Sequence, residues 1–328
     1  MRNIDKGTSY QEIIFDSFEE FYSYIQSFHK LGIYLKNYIF RGASKYEYTL
    51  LPRIIRENEF ENHRILYPYN TFENDNKAKY SILCHLCIEL YLLYKFYRIA
   101  NREALLNFEV DDFKIRDKFK DIRQLVDDIK QDRILLWIPK KYYQIASLAQ
   151  HYSIPTRLLD WTRDVNIAIY FALKHFINKT NSVTNDGYYV IWMLNTLFFQ
   201  ADYDHGLNIR IIDPSCLNNS NVRAQKGLFT LDEQVFSNNQ LESKHESVSL
   251  EDKIMQIDIK QYKFDYKILY KLCIPYREIK KGLFFLYNNG YDNISIYPSL
   301  SEVANTIYDE NMIINSMDNP EVLKSLFY

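Results

Sequence analysis

Cysteine is scarce in this chain of 328 residues. The four present are Cys84, Cys87, Cys216 and Cys273. They form no dense, regular framework, which favours a reducing compartment over a disulfide-stapled secreted scaffold. An excess of charge of one sign is missing too. Forty Lys and Arg against 42 Asp and Glu leave a formal net charge of -2, so no global field favours nucleic acid or an anionic membrane. Long apolar runs are absent. The most apolar stretch, residues 80–97, is interrupted by His85, Glu89 and Lys95 and reads as a buried helix rather than a membrane span. The first fifteen residues lack the apolar region and cleavage-site pattern of a signal peptide, and we expect a cytoplasmic protein with no membrane partner.

Other absences narrow the function. GxGxxG, the Walker P-loop, GxSxG and HExxH do not occur, which removes the common dinucleotide, nucleoside triphosphate, hydrolase and zinc-protease templates. The basic residues form no aromatic-interleaved stripe, so sequence-specific nucleic-acid binding is not indicated. Cys84-His85-Leu86-Cys87 has metal-like spacing but no second cysteine pair and no βαβ context. Core packing is expected there, with a metal or redox role as the alternative. No His or Cys approaches His151 in metal-ligand spacing, and we expect no metal. No repeat is visible, and no Pro-, Gly- or Ser-rich linker divides the chain, so a single elaborated domain over 1–328 is expected.

What the chain does have is ordinary globular material, 47% hydrophobic and 25% charged, enough to bury a core. Residues 10–15 and 34–40 read as strands. Ser17 with Glu20 opens a helix through a capping box, on which Phe18, Phe21, Tyr22, Ile25 and Phe28 fall at helical spacing. Three helical stretches, about 79–99, 102–108 and 114–131, form a helical insert near 79–136. A helix over 140–150 ends before Pro155, residues 156–160 form a short strand, and 165–176 is a helix. Residues 188–194 are a buried strand. Residues 237–251 read as a loop, and 253–259 and 266–274 alternate like strands. Residues 276–288 are helical, and Ser299 with Glu302 caps a helix near 301–309.

The densest chemistry lies in residues 148–172. Gln150, His151, Thr156, Arg157, Asp160, Trp161, Thr162, Arg163 and Asp164 stand beside an apolar pair, Leu158 and Leu159, and run into an apolar helix. Polar groups packed so tightly beside core residues must be satisfied by each other, by backbone or by a ligand. A second compact group holds Arg223, Gln225, Gly227 and Phe229.

These stretches resemble the FRG-domain family, named for a Phe-Arg-Gly signature found here as Phe40-Arg41-Gly42. Leu50-Leu51-Pro52 with Arg56 follows. The most specific match is Gln150-His151-Tyr152 through Pro155-Thr156-Arg157-Leu158-Leu159-Asp160-Trp161-Thr162, continued by Ala168 and Tyr170-Phe171-Ala172. Arg223 with residues 225–229, and residues 296–300, match later motifs. Ser153 departs from the Gly common in the family after the His-Tyr pair, and Ser tolerates fewer backbone conformations. The order of motifs is more distantly similar to ADP-ribosyltransferases. That resemblance implies an α/β (α+β) fold with a split, mixed or antiparallel sheet, and NAD-dependent ADP-ribosyl transfer or NAD cleavage. At family level it implies a bacterial toxin or phage-defence setting, with an acceptor macromolecule it does not identify. The alternative is a non-catalytic module binding a nucleotide or phosphate ligand.

In that comparison Arg41 grips the NAD phosphates or ribose, a task suited to a guanidinium; otherwise it is structural and pairs with Asp160 or a helix C-terminus. Gly42 lets backbone approach a ligand, or only turns the strand. His151 contacts phosphate or ribose, or is a satisfied, partly buried histidine. Tyr152 or Trp161 offers a stacking surface. Asp160 holds Arg41 or Arg157, and Thr162 bonds ribose or orients the third motif. The plainer reading of this group is a helix cap made by Thr162 or Asp164, with Trp161 in the core. Gln225 falls where the comparison wants the catalytic residue. An amide can hydrogen-bond ribose but brings no charge to an oxocarbenium-like state, so catalysis is weak or substrate-assisted, or Asp232 or Glu233 does the work, or the domain only binds; in the plainer reading Gln225 only holds a loop. Gln150, Thr156, Arg56 and Arg157 complete the expected cofactor site, and Arg53 and Arg163 add positive charge for a phosphate if they converge with them.

Overall fold

Residues 188–195 read YYVIWMLN and all but the first are buried, which suits a strand with a neighbour on each side and a layer over each face. The computed structural model describes residues 1–30, 35–65, 81–110, 134–179, 186–200, 206–214, 220–262 and 266–316. In chain order its strands are β1 Arg2–Asp5, β2 Tyr10–Ile14, β3 Tyr38–Ala43, β4 Ile134–Trp137, β5 Leu158–Thr162, β6 Tyr188–Asn195, β7 Ile209–Ile212, β8 Gly227–Asp232, β9 Gln234–Ser237 and β10 Leu269–Pro275. Eight form one open sheet in the order β1-β2-β10-β6-β3-β5-β8-β7, and β4 pairs with β9 in a separate ribbon. The pairing of β10 with β2 is parallel and the other ladders are antiparallel, so the fold is mixed α/β on a mixed sheet.

The main helices are α1 Phe18–Lys30, α2 Ile82–Arg102, α3 Tyr143–His151, α4 Val165–Leu173, α5 Ile279–Asn288 and α6 Leu300–Ser316. One core joins the sheet to α1, α4 and α5 through residues such as Phe21, Phe40, Ile169, Ile191 and Leu283. The opposite face of the sheet holds a second core around Trp161, Trp192 and Leu269. A third surrounds α2, where Cys84, Leu86, Cys87 and Leu90 are all buried. The CxxC pair thus packs in the core as expected. Among the described residues, no helix is long and apolar enough to cross a membrane, and no group of three His, Cys, Asp or Glu is placed to hold a metal ion.

Several local expectations need correction. The capping box at α1 exists in altered form: Ser17 Oγ accepts the Glu20 N–H at 3.1 Å, while the Glu20 carboxylate takes the Asp16 N–H at 2.9 Å. The strand expected over 34–40 starts at Tyr38, after a 3₁₀ turn Leu35–Asn37. Residues 102–108 are not a helix. Helix α2 closes there, with Ala104 in the left-handed region at φ 53° and Leu105 N–H returning to the Ala100 carbonyl at 2.9 Å, the geometry of a Schellman stop. The stretch 114–131 lies outside the described residues. Residues 253–259 are not a strand, because Ser249 caps a short helix Leu250–Met255 through the Asp252 N–H. That helix buries Leu250 and Ile254 four apart, which the alternating pattern concealed.

Ser153 follows α3 at φ 65°. Ser153 N–H bonds the Gln150 carbonyl at 3.0 Å and Ile154 N–H the Ala149 carbonyl at 2.9 Å. This is again a Schellman stop, held here by a residue with a Cβ where glycine is preferred.

Gly42 sits where α4 crosses β3. A Cβ on it would lie 1.9 Å from the Ala168 carbonyl oxygen and 2.7 Å from the Ala172 nitrogen. The glycine and the two alanines let strand and helix backbones touch, a demand on Gly42 that the sequence reading did not include; Gly42 also lies on the lining of the cleft described below. Gly42→Ala is expected to destabilise the fold by about 3 kcal/mol or more, because backbone must move on one side; urea denaturation of the two proteins measures it.

A buried pair of histidines makes the fold acid-sensitive. His85 on α2 stacks on His245 with ring centroids 4.4 Å apart. Burial first, then the neighbouring His245 and Arg157 charges, push His85 down to about 2. Burial, Arg157 and Lys253 push His245 down to about 4. Unfolded histidine titrates near 6.5. Both rings therefore contribute stability that is complete above about pH 6.5 and is lost as pH falls toward their folded values. Unfolding free energy is expected to fall between pH 7 and pH 5, and His245→Phe to flatten that slope; equal slopes in the two proteins would contradict this origin.

Candidate functional site

Strands β3 and β5 meet through one ladder pair, Phe40 with Thr162. Beyond it they part. Arg41, the next residue on β3, fills the gap: its Nη1 donates to the Asp160 main-chain oxygen at 2.7 Å and to Asp160 Oδ2 at 3.3 Å. The side chain supplies the donor that a continuing strand would have supplied. A cleft of about 390 Å³ opens at this parting, with Arg41, Asp160 and Thr162 on its walls.

Alternation on β5 sorts its residues. Asp160 and Thr162 face the cleft side, whereas Leu159 and Trp161 point into the opposite core. Trp161 is 3% exposed and donates its indole N–H to Thr230 Oγ1 at 2.9 Å. The stacking role expected of Trp161 is therefore corrected: its indole is packed in that core, the alternative reading of this residue. Tyr152 is corrected too. It is 57% exposed and packs against Phe96 outside the cleft.

The end of α3 brings in Gln150 and His151. Gln150 Nε2 donates to Asp160 Oδ2 at 2.8 Å, and its Oε1 accepts the Thr156 hydroxyl at 2.8 Å. Thr156 is fully buried behind Gln150 and holds it without touching the cleft. His151 lines the cleft. Its burial lowers its pKa, against the opposing pull of Asp160, so it is a neutral imidazole at pH 7.

Three arginines converge. Arg53 and Arg56, from the turn after Pro52, line the same cleft as Arg41. Arg56 is depressed by burial and then by the Arg41 charge, the mark of like charges held together. Arg56 Nε and Nη2 bind the Leu51 carbonyl, at 3.0 and 2.9 Å. Arg53 Nη1 donates to the Ser153 carbonyl at 3.0 Å, and its Nε pairs with Glu59 at 2.9 Å. Among the described residues Arg53 Nη2 and Arg56 Nη1 keep donors to spare, and Asp160 is the one carboxylate on the lining.

The third motif arrives through Thr162. Its hydroxyl donates to the Gln225 carbonyl at 2.8 Å and accepts the Asp164 N–H at 3.1 Å. Asp164 caps α4 by accepting the Asn166 N–H at 2.9 Å. Thr162 thus fixes the loop that carries Gln225 to the cleft edge, and its hydroxyl proton is committed there. The aromatic lining comes from residues to which the sequence reading gave no role. Phe171 on α4 and Tyr297 before α6 face the cleft, edge to face at 6.4 Å. Both stood in quoted motifs, and that was the available signal.

Two expected site residues lie elsewhere. Glu233 follows β8, at the end of that strand away from Gly227 and Gln225. It accepts from Tyr143 and Arg210, with Arg210 Nη2 at 2.8 Å from Oε2. Burial pushes its carboxyl up, but these hydrogen bonds outweigh burial and hold it below the usual range. Arg157 is 5% exposed and bonds Glu89 Oε2 through Nε at 2.6 Å, while Glu89 also accepts the Trp137 indole N–H at 2.8 Å. Arg163 points outward to Asp213, 2.9 Å away. The expected five-arginine convergence is therefore three.

Residues 36–181 match the family model for the FRG domain. The chain carries an FRG domain. The matched span holds Arg41, Arg53, Arg56, Gln150, His151, Asp160, Thr162 and Phe171 of the cleft, whereas Gln225 and Tyr297 stand beyond it. No curated protein and no solved structure matches the chain.

Within the FRG domain, Glu89 and Arg157 tie α2 to β5. Glu89→Ala is expected to cost about 3–5 kcal/mol in stability, since it leaves a buried guanidinium unpaired. Chemical denaturation reads the loss, and a change under about 1 kcal/mol would mean that water replaces the carboxylate.

Proposed function

We propose that the FRG-domain cleft binds a nucleotide through its phosphates, with NAD the first candidate. The observation that carries this reading is the convergence of Arg41, Arg53 and Arg56 on a cleft lined also by one carboxylate and an aromatic pair. Guanidinium donors suit phosphate oxygens, and Phe171 and Tyr297 offer faces for a base. A volume of about 390 Å³ is within the range of ligand pockets. Gln225 stands at the cleft edge as an amide, able to orient a ribose or carboxamide but not to supply charge, which favours binding over chemistry.

A second reading keeps NAD as substrate, in the manner of ADP-ribosyl transfer. Breaking the nicotinamide–ribose bond builds positive charge on the ribose. Asp160, with its side chain 49% exposed, is the carboxylate on this lining that could face that charge while water or an acceptor adds to the ribose carbon and nicotinamide leaves.

Calorimetric titration of the purified chain with NAD and ADP, with nicotinamide release followed in the same samples, tests both readings. Binding is expected to weaken about tenfold or more in Arg56→Ala, the loss of one charge-assisted contact, and to fall as salt rises. Binding without nicotinamide release supports the binding reading, and release abolished in Asp160→Asn supports the second. Absence of binding to either nucleotide would remove both.

A further inference from the structure

A directed chain of hydrogen bonds ends on Asp160. Leu158 N–H donates to Thr156 Oγ1 at 3.1 Å, and the Thr156 hydroxyl donates to Gln150 Oε1 at 2.8 Å. The Gln150 NH₂ in turn donates to Asp160 Oδ2 at 2.8 Å. Arg41 Nη1 adds a second donor to the same oxygen at 3.3 Å. The directions follow from Asp160: a carboxylate only accepts, so Gln150 gives it the NH₂ and turns Oε1 to Thr156, whose hydroxyl then donates. The chain ends in an acceptor with one oxygen pinned. The other, Oδ1, has no partner among the described residues and belongs to a half-exposed side chain on the cleft wall.

Oδ1 needs a neutral donor from the ligand. A phosphate would be repelled by it, and a cationic amine would meet the field of Arg41, Arg53 and Arg56. The ligand must therefore carry anionic groups for the arginines and hydroxyl donors for the carboxylate, on one molecule. We propose that Asp160 Oδ1 accepts from the ribose hydroxyls of the bound nucleotide, making the cleft selective for ribonucleotides over their deoxy counterparts. Arg41, Gln150 and Thr156 are its positioning residues. This rests on the reading of the cleft as a nucleotide site and names the sugar that it takes.

Arg41 makes Asp160→Asn informative. Its Nη1, which can only donate, holds the new carbonyl oxygen on its own side with the Gln150 NH₂, which turns the substituted amide NH₂ to the cleft and replaces an acceptor with a donor. The test is calorimetry of the full chain with ADP, 2′,3′-dideoxy-ADP and inorganic pyrophosphate. ADP is expected to bind wild-type protein about tenfold or more tighter than the dideoxy compound. In Asp160→Asn that ratio is expected to collapse toward one while pyrophosphate binds as well or better. Equal wild-type affinity for ADP and dideoxy-ADP overturns the proposal and leaves the nucleotide site standing; failure of all three ligands to bind overturns the nucleotide reading and this proposal with it. The wild-type comparison needs no variant and so decides even if the substitution disturbs folding.

Discussion

Strands that part after one ladder pair leave main-chain groups without partners, and buried main-chain groups must find some. At the Phe40–Thr162 junction the partner is the Arg41 guanidinium, which binds the Asp160 carbonyl and carboxylate together. The cleft depends on that substitution of a side chain for a strand. Were β3 and β5 to continue as a ladder, Asp160 would be covered, Arg41 would have no gap to fill, and Gln150 would lose its acceptor. The Phe-Arg-Gly signature is thus three answers to one geometric problem: Phe40 closes the ladder over the core, Arg41 bridges the parting, and Gly42 admits the helix that packs beneath it.

Around this bridge the polar residues divide into two sets of different chemistry. One faces the cleft and keeps spare capacity: unused arginine donors, a free carboxylate oxygen and a neutral imidazole. The other is shut off from the cleft. Arg157 and the Trp137 indole both donate to Glu89 in the core beside α2, with Arg157 Nη2 buried and unpaired among the described residues, and Glu233 is consumed by Arg210 and Tyr143. Ion pairs of the closed kind hold elements together at a desolvation cost, whereas the open set pays that cost only when a ligand arrives.

Much of this was legible in the sequence. A continuous apolar run marked β6, helical spacing marked α1, and the motifs placed Arg41, Gln150, His151, Asp160 and Gln225 in one neighbourhood. The failures have physical causes. Period-two patterning puts Trp161 and Asp160 on opposite faces, yet the motif's density made both look functional. Arg157 and Arg53 are the same residue type, and only a buried Glu89 68 residues away in sequence separates a structural arginine from one that lines a cleft. Phe171 and Tyr297 lie 126 positions apart and read as ordinary core aromatics until the fold sets them edge to face. The helices that end at Ala104 and Ser153 were expected, but their left-handed stops were not, because neither residue announces that geometry as glycine does.

The crossing at Gly42 also decides which parts of the cleft can adapt. Backbone against backbone, with no side chain between, behaves as a single stiff beam: β3 cannot slide along α4 without the Ala168 and Ala172 peptide groups colliding with it. The wall bearing Arg41 and Phe171 is therefore an anvil. Adjustment to the length or bend of a ligand falls to lining residues away from this crossing: Arg53 and Arg56, which reach in on long side chains from a turn, and Tyr297 just before α6.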